Sequence, residues 1–157
     1  MNSEDVSLLR EQLRIAITGG ESHITFDEVI KDFPFDKRAE KPHGAPHSAW
    51  ELVEHMRIAQ KDILEFSRNA SHQSPNFPEG YWPQNAAPPD EEKWRESVRG
   101  FQQDARELAD LINREDLFRP FSHGSGQTLL REALVAANHN SYHLGELVFL
   151  KRMLLGK

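Results

Sequence analysis

The chain contains no cysteine, which excludes disulfides, thiolate-bound zinc and cysteine nucleophiles, and leaves nitrogen and oxygen as the donors for any metal. Redox compartment is not readable from cysteine usage either. No apolar run approaches the roughly 20 residues of a membrane-spanning helix, so no membrane partner is expected. Positive charge is in deficit: 19 Lys and Arg against 25 Asp and Glu give a formal charge of −6. Without a Lys/Arg cluster, the chain lacks the basic face that a nucleic-acid partner demands. The opening residues carry Glu4, Asp5 and Glu11, unlike the basic and then apolar start of a secretory signal, so the expected compartment is the cytoplasm. Internal repeats and low-complexity tracts are lacking too.

What is present reads as helix. A length of 157 residues suits one domain, residues 1–157, with a core that needs no staples. Val6, Leu9, Leu13, Ala16 and Ile17 follow helical spacing, and Gly19-Gly20 should stop that helix. Residues 24–35 form a short second piece. Ser48 and Glu51 make a capping-box pattern that opens a helix to about Asn69, with Leu52, Met56, Ala59, Ile63 and Phe66 on its apolar arc. Residues 71–89 hold five prolines and Gly80, too many for helix; the aromatic residues Phe77, Tyr81 and Trp82 set this loop apart from a merely solvated linker. Asp90-Glu91-Glu92 suits a helix start and precedes the stripe Trp94, Val98, Phe101, Ala105, Leu108 and Ile112. A turn-rich connection around Pro120 and Gly124 leads to a last helix from about Thr128 to Leu155. Four long amphipathic helices with no strand pattern predict an all-α, four-helix bundle with long inter-helix loops.

Two of the eight histidines, His139 and His143, stand four apart in that last helix and so share a face. At about 100° per residue, His143 falls within roughly 20° of Ala136 and Leu150, with His139 about 40° to one side. Both should face the core, where an imidazole wants a hydrogen-bond partner or a metal. His43 and His47 have the same spacing, but Gly44 and Pro46 lie between them and deny that pair a shared helical face. A third ligand would come from a facing helix, and His55 is the inward histidine of the helix that opens at Ser48. The plainer reading of His55 is a helix-edge residue paired with Glu51. Three neutral imidazoles leave coordination positions open, as in catalytic sites, and suit zinc, nickel, copper or iron(II) better than magnesium or calcium.

The segments Pro46-His47-Ser48-Ala49-Trp50-Glu51-Leu52-Val53-Glu54-His55, Tyr81-Trp82-Pro83 and Gln127-Thr128-Leu129 through His139-xxx-His143-Leu144-Gly145 resemble the DinB-like/YfiT-like superfamily, over about Leu9 to Leu155. The resemblance implies a four-helix bundle, a homodimer, and a divalent metal on His55, His139 and His143, with zinc or nickel foremost and iron behind them. Family members often carry Gln after the glycine; Glu146 stands there in this chain, where a carboxylate could add charge near the metal or face solvent. Members described as enzymes include S-transferases and isomerases that use a low-molecular-weight thiol, and others are assigned as metal-dependent hydrolases.

The leading expectation is therefore a metal-dependent S-transferase or hydrolase acting on a small-molecule substrate, with a thiol as a candidate cosubstrate. Glu51, Asp62 and Glu132 lie one or two turns from a ligand and could orient an imidazole or act as base, against the plainer reading of solvated charges. Tyr81 and Trp82 could line the pocket mouth, although packing of the loop is the plainer role for the tryptophan. The alternative is a non-catalytic dimeric stress or interaction protein; DNA binding, suggested by the family name alone, fits the acidic balance least.

Overall fold

A computed structural model describes residues 2–156. Five α-helices and no strands occur among the described residues: α1 (Ser3–Thr18), α2 (Phe26–Ile30), α3 (Ala49–Arg68), α4 (Glu91–Arg114) and α5 (Leu129–Leu155). The four long ones form the bundle. α3 packs against both α4 and α5, and α1 closes the opposite side against the same two helices, while short α2 lies on α5.

Each helix begins on a side chain that satisfies backbone N–H groups with no partner in the first turn. Asn2, Thr25, Ser48, Asp90 and Thr128 fill this position, and the first three form reciprocal capping boxes with Asp5, Glu28 and Glu51. Gly19 ends α1 at φ 76°, a backbone conformation that a side chain disfavours. The expected starts at Ser48, Asp90 and Thr128 and the stop at Gly19 are where the chain turns.

The apolar interior divides into two clusters. One gathers Leu13, Leu64, Leu108, Ile112, Leu129 and Ala133; the other gathers Val29, Trp50, Met56, Trp94, Phe101 and Leu147. On α3 the first cluster begins at Ile63 and the second ends at Met56; on α5 the division falls between Ala137 and Leu144. The interval on each helix is polar. It contains Gln60 on α3 and Asn140 and His143 on α5, all buried.

Long connections are tied down by buried polar groups. The Arg38 guanidinium donates to the Phe33 carbonyl, pairs with Glu91 at 2.5 Å and lies over the Trp94 ring. Lys151 on α5 donates to the Val29 and Lys31 carbonyls at the end of α2, a cation at the negative end of that helix. The loop between α3 and α4 is held by Trp50, whose indole N–H donates to the Asn85 carbonyl at 2.9 Å.

Gly145 is exposed in the middle of α5, and a methyl group there would meet nothing within 4 Å. Gly145→Ala should raise unfolding stability by about 0.5–1 kcal/mol in a denaturant titration. A loss of stability would show that another group occupies that space in solution.

Candidate metal centre

At the polar interval three histidines meet from two helices, His139 and His143 within it and His55 at its edge beside Met56. Nitrogen atoms of His55, His139 and His143 all lie within 4.8 Å of one another. His55 Nε2 is 3.1 Å from His143 Nε2 and 3.0 Å from His139 Nε2. The helical spacing of His139 and His143 gives them one face of α5, and the packing of α3 on α5 presents His55 to it.

The outer nitrogens decide which tautomers are present. His55 Nδ1 donates to the Tyr81 carbonyl at 2.8 Å, and His143 Nδ1 donates to a Glu146 carboxylate oxygen at 2.6 Å. Neither acceptor brings a proton of its own, so both Nδ1 atoms carry hydrogen. Their Nε2 atoms then present lone pairs to one another at 3.1 Å. That contact is repulsive unless a cation lies between them. Donors about 2.0–2.1 Å from a tetrahedral metal stand about 3.3 Å apart, close to the observed separations. The donor set therefore fits a divalent transition metal.

Burial keeps the three rings neutral. It pushes His139 and His143 down to about 4, with the neighbouring imidazoles adding to the shift. His55 is lowered for the same first reason, partly offset by its bond to the Tyr81 carbonyl. All three are thus available as ligands at neutral pH.

The loop residues serve the site in two ways. Trp82 stacks on His55, with ring centroids 4.0 Å apart and planes 6° from parallel, and also on His47 at 3.9 Å. Tyr81 holds His55 through its backbone and anchors the loop through its phenol, which donates to Asp62 at 2.6 Å. Burial and then Asp62 push that phenol up to about 12, so it acts as a donor and not as a base at neutral pH. Asp62 also accepts from His72 at 2.7 Å. Its link to the cluster therefore runs through the loop.

The other two candidate carboxylates are engaged elsewhere. Glu51 accepts from its own capping partner, the Ser48 backbone N–H, and from Lys41. His55 accordingly does not pair with Glu51. Glu132 is buried and bonded to Arg131. The carboxylate that does reach one of the three histidines is Glu146, for which sequence left two roles open; its place three residues after His143 was the signal, since such residues share a helical face. His47 was missed for another reason. Gly44 and Pro46 do keep it off any helix, but the turn into the Ser48 cap carries it to Trp82.

The sequence model of the DinB superfamily matches residues 22–147, a span that holds all three histidines and Glu146. The chain belongs to the DinB superfamily. No curated protein and no solved structure matches it. The match begins after α1 and ends within α5, so it covers both helices that carry the cluster and the loop that supports it. No helix among the described residues is long and apolar enough to cross a membrane.

A neutral buried histidine penalises folding once the unfolded chain can take up a proton that the folded one refuses. With folded values near 4 for His139 and His143 and ordinary values near 6.5, stability of the metal-free protein should be full above about pH 6.5. It should fall as pH drops toward 4. The melting midpoint of chelator-treated protein across that range tests this, with a His139→Asn/His143→Asn variant expected to give a shallower slope. Equal slopes for the two proteins would refute it.

Proposed function

We propose that this DinB-superfamily protein binds a divalent transition metal through His55, His139 and His143 and uses it in an enzymatic reaction on a small molecule, either thiol-dependent S-transfer or hydrolysis. The observation that carries the reading is the pair of lone-pair-bearing Nε2 atoms 3.1 Å apart, their opposite nitrogens both tied to acceptors. A bound ion would supply Lewis acidity and an open coordination position for a thiol or water.

The chain's own residues define the surroundings. Glu146 holds the His143 tautomer and brings negative charge to the ligand, a combination that raises imidazole basicity. Tyr81 and Trp82 hold His55 from the loop side, one through its carbonyl and the other through its ring. His47 and Glu146 line a hollow of about 210 Å³ whose other walls include Leu52, Phe149 and Met153. A lining that mixes polar and apolar side chains supports a small substrate with an apolar portion.

Elemental analysis of protein purified without an affinity tag should find about one transition-metal ion per chain, with zinc or nickel foremost. His139→Ala and His143→Ala should each lose the ion while the far-ultraviolet circular dichroism stays helical. Full metal retention in either variant would overturn the ligand set. With the metal established, turnover of an electrophile that requires an added low-molecular-weight thiol would select S-transfer, and thiol-independent cleavage of an ester or amide would select hydrolysis. Stoichiometric metal without either activity would favour the binding-only role.

A further inference from the structure

His55 and His143 each have an acceptor on Nδ1; His139 Nδ1 has none and is buried. Two neighbouring groups share that condition. Asn140 Oδ1 and Gln60 Nε2 are buried without partners, and of the four such side-chain atoms among the described residues, these two and His139 Nδ1 make three. The fourth is Arg10 Nη1. Gln60 and Asn140 are themselves joined, Asn140 Nδ2 donating to Gln60 Oε1 at 2.8 Å, with residue exposures of 0% and 7%. A buried amide pair joined by one bond, in a gap between two apolar clusters, is costly unless its remaining groups are used.

We propose that Gln60 and Asn140 are the positioning unit of His139, holding its Nδ1–H through Asn140 Oδ1 so that Nε2 faces His55 and His143. This inference rests on the reading of the three histidines as a metal site.

The hydrogen-bonding inventory favours it. A ligand that binds through Nε2 must carry its proton on Nδ1, so His139 needs an acceptor. Asn140 Oδ1 is an acceptor with two lone pairs on the residue next to His139, and like His139 Nδ1 it is buried without a partner. The bond from Asn140 Nδ2 to Gln60 Oε1 fixes which end of the asparagine remains free. Turning both amides over would keep a bond between them but would present an N–H toward the His139 N–H. Gln60 sits on α3 between Met56 and Ile63, so it also sets Asn140 relative to the helix that carries His55. The three imidazoles would then be oriented by three different acceptors: a backbone carbonyl, a carboxylate and a carboxamide.

The test measures zinc affinity by competition with a chromophoric chelator in wild type, the Gln60→Leu/Asn140→Leu double variant and Asn140→Asp. Replacing both amides leaves neither orphaned, which favours a folded protein. The double variant should bind zinc about 10–100-fold more weakly than wild type, and Asn140→Asp, which keeps the acceptor, at least as tightly as wild type. Wild-type affinity in the double variant would overturn the proposal. Equal weakening in Asn140→Asp would overturn it too, because packing and not the acceptor would then be responsible. Nitrogen-15 spectra of the histidine rings in zinc-loaded protein give an independent reading. His139 should be fixed as the Nδ1–H tautomer in wild type and mixed in the double variant; an Nε2–H tautomer in wild type would overturn the assignment even if the double variant does not fold. Wild-type protein that binds no zinc would defeat the metal reading and the positioning role with it, whereas zinc bound by wild type and equally tightly by the double variant would defeat the positioning role alone.

Discussion

Two imidazole lone pairs held 3.1 Å apart are the constraint on which the rest of this site depends. Nothing about helix packing requires such a contact, and a bundle free to relax would separate the rings. They are held because each ring is fastened at its far nitrogen, one to a loop carbonyl and the other to a carboxylate on its own helix. The repulsion is thus offset by interactions outside the cluster. A cation would convert that cost into an attraction, the usual relation between metal binding and folding when a site is built beforehand.

The division of the interior makes room for this arrangement. Leucine and alanine fill the end of the bundle where α1 packs, and tryptophan and phenylalanine fill the end where α2 and the loops pack. Between them α3 carries Gln60 and α5 carries His139, Asn140 and His143, with His55 at the edge beside Met56. Each unpaired group in such a layer costs stability, and the outlying connections supply part of the pairing here. The Tyr81–Trp82 segment reaches back to His55, and Asp62 and His72 secure that segment to α3. The loop with five prolines is therefore part of the bundle's interior chemistry.

Most of this architecture was legible in the sequence because it depends on local signals. Ser48 with Glu51, Asp90 before two acids, and Gly19 each specify a chain direction within a few residues, and they mark the helix ends seen in the fold. His139 and His143 were legible for the same reason: four residues on a helix fix a shared face. The polar contacts made across the fold were not. Glu51 has the spacing to reach His55, but the capping bond to Ser48 and the ion pair with Lys41 claim it first. Which carboxylate serves a histidine was settled by competition among partners. Trp82 and His47 come to the site through a loop path that no periodicity describes.

The acceptor for His55 is a main-chain oxygen, and this changes what mutation can do to it. Every amino acid at position 81 would offer the same carbonyl, so the orienting contact is invisible to substitution as such and vulnerable only to displacement of the loop. The information that aims His55 is accordingly spread over residues that never touch the ring, such as Asp62 and His72. Variation at Asp62, or at Tyr81 through the phenol that reaches it, would change the aim of His55 by shifting the loop and not by removing the acceptor atom.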